Sequence, residues 1–180
     1  MPMLNQTLQF NEIPADARQA FTDARADKVA LAAGTLLFRF SGHSHLSPWW
    51  SEVKKLQGLL LSAKLAKKNL YEYVRKTNAV LRKWDPNMSN LIIGRLNADV
   101  WSFRGAISPQ NEAAAYMNSA DASNYKKRFT KPVFFGGGNN QVYIKGLTDS
   151  SISIIVPAGA VNIFDDIDDI TDFLHSYGIF

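Results

Sequence analysis

Three consecutive glycines, Gly136, Gly137 and Gly138, constrain this chain more than any other stretch. They follow a short apolar run, Val133-Phe134-Phe135. After Asn139 and Asn140, the segment Gln141-Val142-Tyr143-Ile144 alternates as a strand does. Glycine loses more backbone freedom on folding than any other residue. A run of three therefore marks an unusual backbone path or a close approach to something else. Two readings follow. In one, the glycines turn a hairpin or bulge between two strands, because Gly-Asn steps favour positive φ. In the other, they form a ligand-facing loop that sets Gln141 at the start of a strand, over a cleft.

The glycines, followed closely by Gln141 and then Tyr143, resemble the Gly-Gly-Gly-x-Gln-Tyr segment of the tuberculosis necrotizing toxin family. Those proteins are NAD glycohydrolases on an ADP-ribosyltransferase-like fold, and the resemblance implies that Gln141 is catalytic. The spacing differs here: Asn139 and Asn140 separate the glycines from Gln141, and Val142 precedes Tyr143. A second segment, Leu37-Phe38-Arg39-Phe40-Ser41-Gly42, is similar to the first core strand of arginine-containing ADP-ribosyltransferases, and Arg39 carries over as the clamp on the cofactor. An arginine inside an apolar strand is expensive unless it meets an anion. Its planar donor fork suits phosphate oxygens, although an outward-facing salt bridge would also account for it. A third segment, Trp101-Ser102-Phe103-Arg104, matches the superfamily's second core strand in layout only. The Ser-Thr-Ser triplet is absent, and Tyr143 stands where the transferases carry a Glu.

Bulk properties narrow the rest. The 180 residues suit a single domain, 1–180, and 46% hydrophobic with 20% charged residues is ordinary for a globular chain. Without cysteine, disulfides, thiolate catalysis and cysteine-ligated metals are excluded. No metal site is expected. His43 and His45 read as polar loop residues, and Asp165–Asp169 lacks the glycine and spacing of an EF-hand loop. There is no apolar run near the roughly 18 residues of a membrane span. The first residues lack the basic and apolar regions of a cleaved signal. The expectation is a cytoplasmic protein, or one secreted without a cleaved signal as a delivered effector. Charge is uneven: the last basic residue is Lys145, and six aspartates follow it. A basic body attracts anions, but the lysines cluster in one helical stretch and read mainly as a solvated face, so a nucleic-acid partner is not favoured.

Periodicity predicts an α+β fold, with N-terminal and central helices on a mostly antiparallel sheet; the resemblance adds that it is ADP-ribosyltransferase-like. Helices are expected over Ile13–Val29, over Trp50–Trp84 with a break near Lys67-Lys68, over Asn111–Met117, and along the stripe Ile163, Ile167, Ile170, Leu174, Tyr177. Ser47-Pro48 reads as the cap and first turn of the second of these. Asp121–Phe129 reads as loop or short helix. Strands are expected over Thr35–Phe40, Leu91–Ile93, Ala98–Gly105 and Ser151–Val156.

No P-loop, dinucleotide-binding GxGxxG, HExxH or GxSxG motif is present. What the resemblance implies instead is an NAD-cleaving toxin or effector domain, a glycohydrolase or a mono-ADP-ribosyltransferase, with NAD as substrate. Breaking the nicotinamide–ribose bond needs little covalent help. It needs a clamp, ribose orientation and stabilisation of an oxocarbenium-like transition state. Arg39 with Arg104 would clamp, Gln141 would hold a ribose hydroxyl or a water, and Gly136–Gly138 would approach the cofactor. Tyr143, Trp49 or Trp101 would stack on nicotinamide, with Ser102 beside them. A protein target and an immunity protein are the partners this class implies. The alternative is a non-catalytic α+β module that binds protein or nucleic acid. The two differ on one point: the enzyme needs Arg39 and Gln141 in one cleft, and the binding module does not.

Overall fold

The structure, a computed structural model, describes residues 3–43, 46–80, 85, 87–111 and 134–180. The helix expected over Asn111–Met117, save Asn111, and the segment Asp121–Phe129 lie outside these residues. So do His45, Leu81 and Trp84.

The fold is α+β, built on a seven-stranded antiparallel sheet. The strands are β1 (Asp27–Leu31), β2 (Leu36–Ser41), β3 (Trp49–Glu52), β4 (Asn90–Leu96), β5 (Val100–Ala106), β8 (Asn140–Tyr143) and β9 (Ile152–Val156). Their order is β1-β5-β8-β3-β2-β4-β9, and β6 (Gln110–Asn111) and β7 (Phe134–Phe135) form a separate pair. The helices are α1 (Ala15–Gln19), α2 (Leu56–Leu65), α3 (Leu70–Thr77) and α4 (Ile167–Ser176). Among the described residues no helix is long and apolar enough to cross a membrane.

Alternation along the strands sorts side chains to two faces. Phe38, Phe40, Leu91 and Ile93 join Leu56, Leu60, Leu70, Val74, Ile170 and Leu174 in the cluster beneath α2, α3 and α4. Leu37, Trp50, Ile92 and Val142 point the other way, into a second cluster with Leu31, Leu96, Val100 and Ile144. Farther along the sheet, Phe103 and Tyr143 pack with Ile13, Ala17 and Phe21 under α1.

Several elements follow their expected causes. The Asn69 side chain accepts from the Glu72 N–H at 2.8 Å and caps α3. Asp166 caps α4 in the same way, with Asp168 and Asp169 in the first turn and His175 in the last. Three expectations are corrected. The helix over Ile13–Val29 shrinks to α1 flanked by two short 3-10 turns, and its last residues are β1, which pairs with β5 from Asp27↔Arg104 to Leu31↔Val100. Sheet pairing there outweighs the alanine-rich pattern. Ser47-Pro48 does not start a helix. Trp49 and Trp50 lie on β3 and point to opposite faces, and the helix begins only at Leu56. The glycines join no hairpin, since β7 pairs with β6 while β8 pairs with β5 and β3.

Arg75, on α3, is 1% exposed. Its guanidinium donates to the carbonyls of Val80 at 3.1 Å and Asp85 at 2.6 Å, and lies over the Tyr71 ring at 4.8 Å. A rigid fork that serves two carbonyls at once compensates its desolvation. Arg75→Lys, which keeps the charge and loses the fork, is expected to cost about 2 kcal/mol of unfolding free energy. Urea denaturation followed by circular dichroism measures it, and a value within experimental error of wild type would contradict the role.

Candidate active-site cleft

The cleft forms where the sheet splays. β2 and β3 pair only at Leu37↔Glu52 and Phe38↔Ser51. Beyond that point β2 continues along β4 through Arg39↔Ile92 and Ser41↔Asn90. Trp49 and Trp50 instead follow β8, opposite Tyr143 and Val142. The gap opens into a cleft of about 600 Å³, within the range of small-molecule sites. Its sheet side carries Phe38, Trp49, Ser51, Gln141 and Tyr143. Pro14, Asp16, Ala17 and Ala20 line it from α1 and its flanks, and Asn78, Ala79 and Val80 from the chain just after α3. Arg39, Ser41, His43 and Asp85 are among its polar groups.

Gln141 is held by its amide. Nε2 donates to the Ala20 carbonyl at 3.2 Å, and the same carbonyl accepts the Ser108 N–H at 2.9 Å. That assignment of the amide leaves Oε1 as an acceptor with no partner among the described residues. Arg39 donates from Nη2 to Ser41 Oγ at 3.0 Å, and its guanidinium lies 5.7 Å from the centre of the Trp50 ring. Burial lowers the pKa of Arg39 from its ordinary value, and the nearby Asp85 carboxylate opposes that shift. Trp49 packs edge-on against Tyr143 at 4.7 Å and tilted against Phe21 at 5.5 Å. Burial, aided by Asp16, raises the Tyr143 pKa and keeps its hydroxyl protonated as a donor.

Arg39, Gln141, Trp49 and Tyr143 thus line one cleft, and the other sequence candidates lie elsewhere. Arg104 is level with Val142, on the sheet face that Arg39 and Trp50 also use, but it lies outside the cleft lining and pairs with Glu52 Oε1 at 2.5 Å. Ser102 is buried and donates to the Val29 carbonyl at 3.3 Å. Lys28 Nζ lies 5.4 Å from the Trp101 ring centre, at the β1 side of β5. Gly136, Gly137 and Gly138 do not line the cleft. Their loop closes α3: the Gly137 N–H donates to Lys76 O at 3.1 Å, and the Asn139 N–H to Thr77 O at 3.3 Å. These are carbonyls that a helix C-terminus leaves without partners. Gly137 has φ +64°, and a Cβ there would lie 2.5 Å from the Ile107 carbonyl oxygen, so only glycine fits.

Sequence reasoning missed Asp16, Asp85, Ser51 and the Ala20 carbonyl. Asp85 sits before a proline and reads as a helix stop, and a backbone carbonyl carries no sequence signal. Among the described residues no group of three or more histidine and acidic side chains is placed to hold a metal.

No protein-family model matches the chain, and no curated protein matches it. Solved structures similar to it include two protein complexes. One is Tne2 in complex with Tni2, with 13% identity, a TM-score of 0.43, and 76% of this chain and 92% of that chain covered. The other is Rhs1-CT in complex with its cognate immunity protein RhsI1, with 14% identity, a TM-score of 0.44, and coverage of 72% and 76%. Likeness of this degree speaks neither for a shared family nor for a shared activity.

Proposed function

We propose that the cleft binds NAD and breaks the bond between nicotinamide and ribose. The observation that carries this reading is that Arg39 and Gln141, far apart in sequence, line the same cleft. A non-catalytic module has no need of that arrangement. Arg39, seated on Ser41 Oγ, clamps the pyrophosphate with its donor fork. Trp49 and Tyr143 offer an aromatic surface to the nicotinamide ring. Gln141, tethered through Nε2, presents Oε1 to a ribose hydroxyl or to the attacking water. The C–N bond breaks and nicotinamide leaves as a neutral molecule. Water adds to the ribose carbon and loses its proton, which yields ADP-ribose. If a protein group takes the place of water, the same cleft acts as a transferase. By the sequence resemblance, the protein is a toxin or effector domain restrained by an immunity protein.

Two tryptophans at the cleft make binding observable. NAD is expected to quench the intrinsic fluorescence saturably, and Arg39→Ala to weaken that binding by about 10- to 100-fold, the loss of a charge-assisted contact. Absence of saturation at millimolar NAD would contradict the reading. Product analysis with and without cell lysate then tells whether ADP-ribose ends on water or on a protein.

A further inference from the structure

Asp85 is a buried carboxylate at the cleft, 8% exposed, and the roles proposed above do not use it. Two contacts and one bare oxygen define it. Its Oδ2 accepts the Gly42 N–H at 2.9 Å. Its backbone carbonyl accepts Arg75 Nη2 at 2.6 Å, which ties it to α3. Its Oδ1 has no hydrogen-bond partner among the described residues. Gly42 permits the close approach: a Cβ there would lie 2.8 Å from Oδ1 and 2.4 Å from the Asn87 carbonyl oxygen.

A buried carboxylate with a bare oxygen is costly unless a nearby positive charge compensates it. Two guanidiniums flank it: Arg75, bonded to its backbone carbonyl, and Arg39, which leaves β2 two residues before Ser41 and lines the cleft with it. The Arg39 guanidinium bonds Ser41 Oγ, and the residue after Ser41 is the one Asp85 grips. The carboxylate is therefore linked to Arg39 through the strand end, Ser41–Gly42.

We propose that Asp85 is a positioning residue of the cleft: it fixes the Ser41–Gly42 strand end and holds the Arg39 guanidinium over Trp50, aimed at the pyrophosphate of the substrate. The substrate part rests on the NAD reading; the setting of Arg39 rests on the Ser41 and Gly42 contacts.

Asp85→Asn separates charge from shape, because the amide oxygen still accepts the Gly42 N–H. In the Asn variant KM for NAD is expected to rise about tenfold with kcat changed less than about threefold. In a double-mutant cycle with Arg39→Lys, the two effects on KM are expected to be non-additive, since both act on one contact. A merely structural Asp85 would lower stability and leave KM alone, and additive effects or an unchanged KM would overturn the proposal. A second readout needs no substrate. The indole N–H resonance of Trp50, assigned with Trp50→Phe, is expected to move in ligand-free Asp85→Asn and in Arg39→Lys. If it stays in place in Asp85→Asn, the proposal falls. If wild type neither binds nor cleaves NAD, the functional reading fails, and the indole resonance still decides Asp85. Should Asp85→Asn not fold, Asp85→Glu keeps the charge while displacing the grip on Gly42, and the same two readouts apply.

Discussion

Gln141→Ala is expected to lower the rate of nicotinamide release by about 10²- to 10³-fold while the protein stays folded. The size follows from the loss of one preorganised group at the reacting centre. The fold survives because the side chain gives up only one hydrogen bond, to Ala20 O at 3.2 Å. Such a bond is worth about 1 kcal/mol. The strand beneath it is held by backbone pairing to β5 and β3, which the substitution leaves in place. Single-turnover release followed by chromatography, beside a thermal melt, separates the two effects. A variant within about threefold of wild type would remove Gln141 from the chemistry.

Phe21→Ala carries the largest expected loss of stability, about 3–5 kcal/mol. The ring is 1% exposed. It packs edge-on against Phe10 at 5.9 Å and tilted against Trp49 at 5.5 Å. It also fills the space above Gly105, where a Cβ would come within 2.8 Å of it. For a chain of this size the melting temperature should fall by roughly 6–20 °C. Function should suffer beyond the loss of folded molecules, because Phe21 follows Ala20, whose carbonyl tethers Gln141. A loss below about 1 kcal/mol in chemical denaturation would show that α1 is not pinned by this ring.

The parts of the fold legible in the sequence were those set by local pattern. β2, β4, β5 and β9 follow alternating or continuous apolar runs, and α4 follows its stripe and its aspartate-rich first turn. β3 was illegible because Ser47-Pro48 imitates a helix start and a long helix-favouring segment follows. What makes Trp49–Glu52 a strand is its seat between β2 and β8, a pairing between distant segments. β1 was hidden in the same way by an alanine-rich stretch that finds β5.

The candidate site divides along the same line. Arg39, Gln141, Trp49 and Tyr143 stand out by residue type, and the fold gathers them. The glycine run was legible as a special backbone path, but not its partner, the C-terminal carbonyls of α3. Asp85 was illegible because its importance lies in contacts with Gly42 and Arg75, both set by tertiary packing.

In the proposed function, Arg39 and Gln141 together make an NAD-cleaving cleft. Nicotinamide release by the purified wild-type protein, measured against Gln141→Ala at equal folded concentration, tests it most directly. Catalytic turnover by wild type and a loss of at least about 100-fold in the variant are expected. Equal rates, or no release by wild type with or without cell lysate, would contradict it.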